Sequence, residues 1–270
     1  MKNFRTACIF VDGENLRHSL VDLFGLEFNP SDYLPKTADW QGFFDFLVSS
    51  ADAELRLRTY WYVVDEIDFW PYNISRLARE DQATLEMILR KDRYWVAKLD
   101  GVTAPKVSIL EAAKTLQQRE HSMRKRFDGW QQLQNGIARR FDSVEFRRAG
   151  SIVYDLFRQQ FGQEKGVDVK LATDLLKLND IYDVGIIVSG DGDYVPAVQV
   201  VKDWGKHIVN VSFLKESGGL LPGGARRLNQ NTDRAIEVAY DDMRKFMNIP
   251  AKKTYIAPGA TAVLTAKTVP

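Results

Sequence analysis

Histidine and cysteine are scarce in this chain of 270 residues, which holds three of the first and one of the second. His18, His121 and His207 lie far apart and form no HExxH or HxH spacing, which argues against a histidine-rich zinc hydrolase. Cys8, inside the apolar run Ala7-Cys-Ile-Phe-Val11, rules out an intrachain disulfide and a cysteine-based zinc site, and it reads as core. The chain also lacks any stretch near the ~20 apolar residues of a membrane span. Its N-terminal run is broken by Asp12 and Glu14 before signal-peptide length, so no membrane contact and a cytoplasmic location are expected. Bulk charge is missing too: the formal net charge is +1, and any attraction to nucleic acid must come from local distribution. No internal repeat is visible.

What is present is a globular composition, 45% hydrophobic and 27% charged, long enough to bury a substantial core. Residues 6–11, 58–64, 144–148, 184–189 and 207–213 are short runs rich in Val, Ile, Phe or Tyr, bounded by polar residues or Gly, and read as strands. Several lack alternation, as in Gly185-Ile-Ile-Val188, which suits strands covered on both faces of a parallel sheet. Helical patterns lie between them, so the class is α/β. Two helices matter most: one over residues 169–178 with Val169, Leu171, Ala172, Leu175 and Leu176 as its stripe, and one over about 194–204 with Pro196 in its first turn.

Residues 65–142 far exceed an ordinary crossover and read as a helical insertion within one domain spanning 1–247, followed by a mobile tail over 248–270. Met123, Phe127, Trp130, Ile137 and Phe141 recur at helical spacing, giving a long helix or a helical hairpin preceded by a helix over 76–89. Residues 114–148 hold nine Lys or Arg against four acids, either a solvated helix face or a docking place for a polyanion.

Three acidic turns stand where strands give way to helices: Phe10-Val-Asp12-Gly-Glu-Asn15, Lys165-Gly-Val-Asp168 and Ser189-Gly-Asp191-Gly-Asp193. In an open parallel sheet, ligands bind at the carboxyl ends of strands where the strand order reverses. If the first and fourth main strands are neighbours, Asp12 faces Asp191 and Asp193 there, with Asp168 entering from its helix start. Carboxylates so placed repel unless protonated or bridged by a cation, and an all-oxygen set suits Mg²⁺ or Mn²⁺. Asn15 and Asp193 are equally readable as helix caps. Lys165 either neutralises a phosphate or pairs with a carboxylate, and Ser189 can orient an aspartate.

These segments, with Trp204-Gly-Lys-His-Ile-Val209, resemble the NYN domain family, PIN-like nucleases that include LabA-like proteins. The resemblance covers residues 6–64 and about 144–238. It implies a three-layer α/β/α Rossmann-like fold and a Mg²⁺- or Mn²⁺-dependent ribonuclease site. Asp12, Asp168, Asp191 and Asp193 would hold the metal and carry catalysis, and Asn15 would fix the first turn or a substrate phosphate. Asp174 also fits the family pattern but lies about 120° around the helix from Asp168, a secondary candidate. Arg226, Arg227 and Arg234 are candidate RNA-backbone contacts. The insertion matches nothing in the family and could guide RNA, cover the site, or hold a protein partner or a second copy.

The expected function is hydrolysis of RNA phosphodiesters. One alternative is a non-catalytic RNA- or protein-binding module on the same fold. Another is a haloacid-dehalogenase-like phosphatase, which fits poorly because position 14 is Glu where that family carries a second Asp.

Overall fold

The structure, a computed structural model, describes residues 4–25, 34–102, 106–223 and 225–250. Strand β1 (Thr6–Asp12) is buried from Ala7 onward and runs straight into α1 (Gly13–Phe24) with no linking residue. The junction is that tight because Asp12 caps the helix, accepting from the Asn15 N–H at 3.0 Å. Gly13 is needed there: a Cβ at this position would sit 2.4 Å from the Tyr62 carbonyl oxygen.

After α2 (Trp40–Ser50) comes β2 (Leu55–Trp70), and then four helices in succession: α3 (Ile74–Glu80), α4 (Gln82–Leu89), α5 (Arg93–Leu99) and α6 (Ile109–Arg140). Strands β3 (Val144–Asp155) and β4 (Gln160–Lys165) form a hairpin that leads into α7 (Val167–Lys177). The remainder is a 3-10 turn at Asn179–Ile181, β5 (Val184–Val188), a second 3-10 turn at Gly192–Tyr194, α8 (Val195–Asp203), β6 (His207–Leu214), β7 (Leu220–Leu221), α9 (Ala225–Asn231), β8 (Arg234–Val238) and α10 (Tyr240–Phe246).

The eight strands of the described residues form one mixed, mostly parallel sheet in the order β4-β3-β2-β1-β5-β6, with β7 and β8 both on β6 and, among them, β4 and β7 antiparallel. The chain starts at the centre, moves outward through β2 and β3, then returns to the other side of β1 with β5. That reversal opens a crevice between the carboxyl ends of β1 and β5. On β2, Trp61 is fully buried beneath Trp40, Phe44 and Phe146, with ring centroids 4.8 to 6.0 Å away. Each such ring contributes about 1.5–3 kcal/mol by leaving water.

The insertion differs from the sequence expectation at its start. Strand β2 does not end near Val64: it runs beyond β1, whose last partner is Tyr62, and stays paired with β3 as far as Trp70↔Asp155. Residues 63–70 thus form an arm roughly 26 Å long at ~3.3 Å per residue, standing on the edge of the sheet where β1 and β5 end. The helix expected over 76–89 is two helices, because the Asp81 carboxylate accepts from the Thr84 N–H at 3.0 Å and starts α4 afresh. The aromatic periodicity from Met123 to Ile137 belongs to one continuous helix, not a hairpin. α6 has 32 residues, a Ser108–Glu111 capping box at its start and Arg139 and Arg140 in its last turn.

Helix α7 also shifts the expected stripe. It begins at Val167, so Val167, Leu171, Asp174 and Leu175 face inward, while Val169, half a turn away, is 69% exposed. At the other end, residues 248–250 pack back on the protein: Asn248 donates to the Thr37 carbonyl and Arg244 to that of Pro250. The rest of the expected tail, 251–270, lies outside the described residues. No helix among the described residues is long and apolar enough to cross a membrane.

Candidate active site

The crevice between β1 and β5 is tied together by side chains from both turns. Asp12, 4% exposed, uses Oδ1 to cap α1 and Oδ2 to accept from the Ser189 hydroxyl at 2.9 Å and the Tyr194 hydroxyl at 3.2 Å. Asn15 reaches across, its Oδ1 accepting from the Gly190 N–H at 3.0 Å. The Ser189 Oγ in turn accepts from the Asp191 N–H at 3.1 Å, and Asp191 accepts from the Asp193 N–H at 2.9 Å. Gly190 allows this close approach, since a Cβ there would lie 1.8 Å from the Pro222 ring that follows β7.

Asp168 enters in the first turn of α7, half-buried, with Oδ1 2.9 Å from the same Tyr194 hydroxyl. One phenolic hydrogen therefore faces two carboxylates and can satisfy only one of them. Asp12 and Asp168 are one donor short. A proton on one carboxylate, or a cation between them, makes up the difference.

The electrostatics agree. Burial pushes the Asp12 carboxyl up to about 7; hydrogen bonds from Asn15, Ser189 and Tyr194 oppose this only in part, and the Asp168 charge adds to it. Asp168 is also raised, by burial first and then by repulsion from Asp191 and Asp193. Glu164, at the end of β4, rises to about 8 through burial and then the charges of Asp168, Asp12 and Glu14, while its Oε1 accepts from the Val167 N–H at 3.2 Å.

This donor set, all oxygen and anionic, fits a hard divalent cation in its chemistry. Among the described residues no group of three or more His, Cys, Asp or Glu side chains converges to hold a metal ion. The set thus resembles the sparse protein ligation of Mg²⁺, which takes one or two carboxylates and completes its shell with water and phosphate oxygens.

The other candidates divide. The Arg227 side chain lies against the acidic turn, its Cδ 2.8 Å from where a Gly192 Cβ would be. Arg226 and Lys165 are exposed, the latter on β4 just before α7. Arg234 is not at this edge. It opens β8 at the amino ends of the parallel strands and pairs with Asp52 at 2.6 Å. Asp174, 2% exposed, belongs to a separate buried network with Arg147, Lys170 at 3.0 Å and the Tyr62 hydroxyl at 3.2 Å. Burial alone would raise its pKa, but the hydrogen bonds from Arg147 and Lys170 outweigh it and hold the carboxyl below its ordinary value.

Sequence reasoning passed over Tyr194 and Glu164. Tyr194 looked like the first residue of a helix, and only the fold turns its hydroxyl back onto Asp12 and Asp168. Glu164 carried a usable signal, an acid just ahead of a helix start, where a carboxylate meets free N–H groups.

The NYN domain family matches residues 109–238, a span that includes Asp168, Asp191 and Asp193 and excludes Asp12. Among solved structures, a protein of unknown function from Vibrio parahaemolyticus is similar at 14% identity and a TM-score of 0.41, covering 88% of this chain and 95% of that one. No curated protein matches the chain. The family match therefore falls on the segment that carries the second and third acidic turns.

Proposed function

We propose that the protein is a metal-dependent ribonuclease. NYN domains are generally nucleases, and one observation supports the reading above others: buried Asp12 and half-buried Asp168 share a single hydroxyl hydrogen at the crevice between β1 and β5, beside Asp191 and Asp193. In this reading residues 1–247 form one PIN-like domain of three layers, α/β/α, with residues 65–142 inserted, acting on RNA in the cytoplasm.

Asp12, Asp168, Asp191 and Asp193 would hold Mg²⁺ or Mn²⁺, one or two of them directly and the others through its water shell. When bound, such an ion polarises a phosphoryl oxygen and lowers the pKa of a water molecule. The chain's own residues prepare the place for it. Ser189 and Asn15 lock the β1 and β5 turns in register, and Tyr194 fixes the spacing of Asp12 and Asp168. Asp12 keeps a proton up to about pH 7 in the metal-free protein, so loading the site releases protons. Arg227, and Lys165 from the far side, meet the substrate phosphates.

Cleavage-site mapping on a pool of RNA with Mn²⁺ or Mg²⁺ tests the reading. Cutting must depend on the ion and vanish in Asp12→Asn and Asp191→Asn; activity surviving in excess chelator refutes it. A second reading, a non-catalytic RNA- or protein-binding module, is favoured by the absence of three converging carboxylates among the described residues. Tight RNA retention with no ion-dependent cleavage supports that alternative. The phosphatase reading weakens further, since Glu14, in the position of that family's second acid, is paired with Arg17 at 3.0 Å.

A further inference from the structure

The two flanks of α6, where it packs on the β2–β3 arm, carry opposite chemistry. On one side Asp65, Glu66 and Asp128 line a hollow with Arg124, whose charge is answered by Glu120 at 2.8 Å. The other side has a groove of about 280 Å³ between α6 and the tip of the β3–β4 hairpin. Arg119, Arg126, Gln118, Ser122, Tyr154 and Gln159 line it, and no acidic side chain among the described residues does.

The charge asymmetry has a helical cause. Arg119 and Arg126 are seven residues apart and share a face of α6, while Glu120 and Arg124 lie roughly 100° or more around the axis from them. The nearest acid on the hairpin, Asp155, is turned inward, its Oδ1 accepting from the N–H groups of Phe157 at 2.7 Å and Arg158 at 3.0 Å. Arg119 is held in place, donating through Nη1 to the Leu156 and Phe157 carbonyls at 2.7 and 3.1 Å, with its guanidinium 5.6 Å from the Trp95 ring. The Arg126 guanidinium lies 5.2 Å from the Trp130 ring centre. Gln159 presents its amide from a left-handed backbone conformation, φ 55°, that non-glycine residues seldom adopt. Burial raises the Tyr154 phenol, the charges of Arg126 and Arg119 lower it, and the Asp155 charge raises it.

The groove is joined to the acidic turns by β4. From Gln160 this strand runs roughly 20 Å, at ~3.3 Å per residue, to exposed Lys165 and then to Asp168 on α7.

We propose that this groove is an RNA-backbone site, in which Arg119 and Arg126 hold phosphates of a single strand whose other end lies at the acidic turns. This deepens the ribonuclease reading and rests on it for the direction of the strand. The insertion would then act as a guide, making cleavage of long RNA more efficient than cleavage of a dinucleotide.

The test is fluorescence-anisotropy binding of a labelled single-stranded RNA of about 15 nucleotides to the full chain in EDTA, at several salt concentrations. Arg126→Ala removes one phosphate contact. Single strands lose about 0.7 in log–log salt slope per contact, or about fourfold in affinity at 0.15 M salt. Ser122→Glu, which removes no contact, should weaken binding at least as much by adding a negative charge. Thermal unfolding confirms that both variants remain folded.

Wild-type affinity and slope in both variants overturn the groove and leave the ribonuclease reading standing. RNA binding by no form of the protein, together with no ion-dependent cleavage, overturns both. Equal competition by polyglutamate shows that the groove takes acidic protein rather than RNA, and also overturns the proposal. Slower cleavage of long RNA by Arg126→Ala, with a dinucleotide cut at the wild-type rate, supports it.

Discussion

Asp12→Asn should make the metal-free protein more stable, by an amount that depends on pH. The Asp12 carboxyl stands at about 7 in the folded chain against 3.8 as the ordinary value. Between those limits the folded state binds the proton more tightly than the unfolded state, so this group's contribution to stability falls as pH rises. Burying this carboxyl costs about 4 kcal/mol at pH 8, where it is ionised, and about 1.5 kcal/mol at pH 5, where it must keep a proton that the unfolded chain would release, at 1.36 kcal/mol per unit. Asparagine has no such ionisation. Its oxygen can keep the bond from the Asn15 N–H, and its NH₂ can donate to the Ser189 and Tyr194 hydroxyls, freeing the Tyr194 hydrogen for Asp168. Imperfect re-pairing takes back ~1–2 kcal/mol, leaving a gain of about 2–3 kcal/mol at pH 8, or roughly 5–10 °C in Tm for a chain of this size. Urea unfolding followed by tryptophan fluorescence, in EDTA at pH 5 and pH 8, measures both values. An equal effect at the two pH values, or destabilisation at pH 8, refutes the electrostatic reasoning. Added Mn²⁺ should erase the advantage by stabilising only the wild type through binding.

Asp174→Asn leaves the Arg147 guanidinium without its buried carboxylate and should cost about 3 kcal/mol in a thermal or urea melt, with ion-dependent cleavage per folded molecule retained. Tyr194→Phe removes the hydroxyl between Asp12 and Asp168. It should lower metal-free stability by about 1 kcal/mol and alter Mn²⁺ affinity in a calorimetric titration, whereas unchanged affinity would show that the spacing does not depend on the hydroxyl. Gly13→Ala places a Cβ 2.4 Å from the Tyr62 carbonyl and should yield little folded protein, judged by soluble expression and circular dichroism.

The central strands were legible because they are buried on both faces: all five residues of β5 are covered, and β1 is covered from Ala7 onward. Strands β4 and β8 were not, since most of their residues are partly or fully exposed and their pairing depends on partners far away in sequence. The outer part of β2 reads as the start of the helical insertion because Asp65, Glu66 and Asp68 interrupt the strand pattern, yet it stays extended against β3, where the Ser151 hydroxyl donates to Asp68 at 2.8 Å. At the site, the turns around Asp12 and Asp191 could be found from strand ends, and Asp168 from the start of its helix. That Tyr194 bridges Asp12 and Asp168 depends on a side-chain direction that periodicity does not encode. Arg234 was misplaced for a related reason: following β6 in the chain does not say at which end of the sheet a residue lies.

The bonds that close the crevice span the chain. Ser189 and Asp12 are 177 residues apart, and Gly190 and Asn15 are 175 apart. At ~5–20 residues per second, the ribosome finishes Asp12 roughly 10 to 35 s before Ser189 exists. Throughout that interval the edge of β1 that will receive β5 is open, and Asp12 has neither the hydroxyl of Ser189 nor that of Tyr194. A growing chain therefore carries no assembled carboxylate site until the third acidic turn has been made.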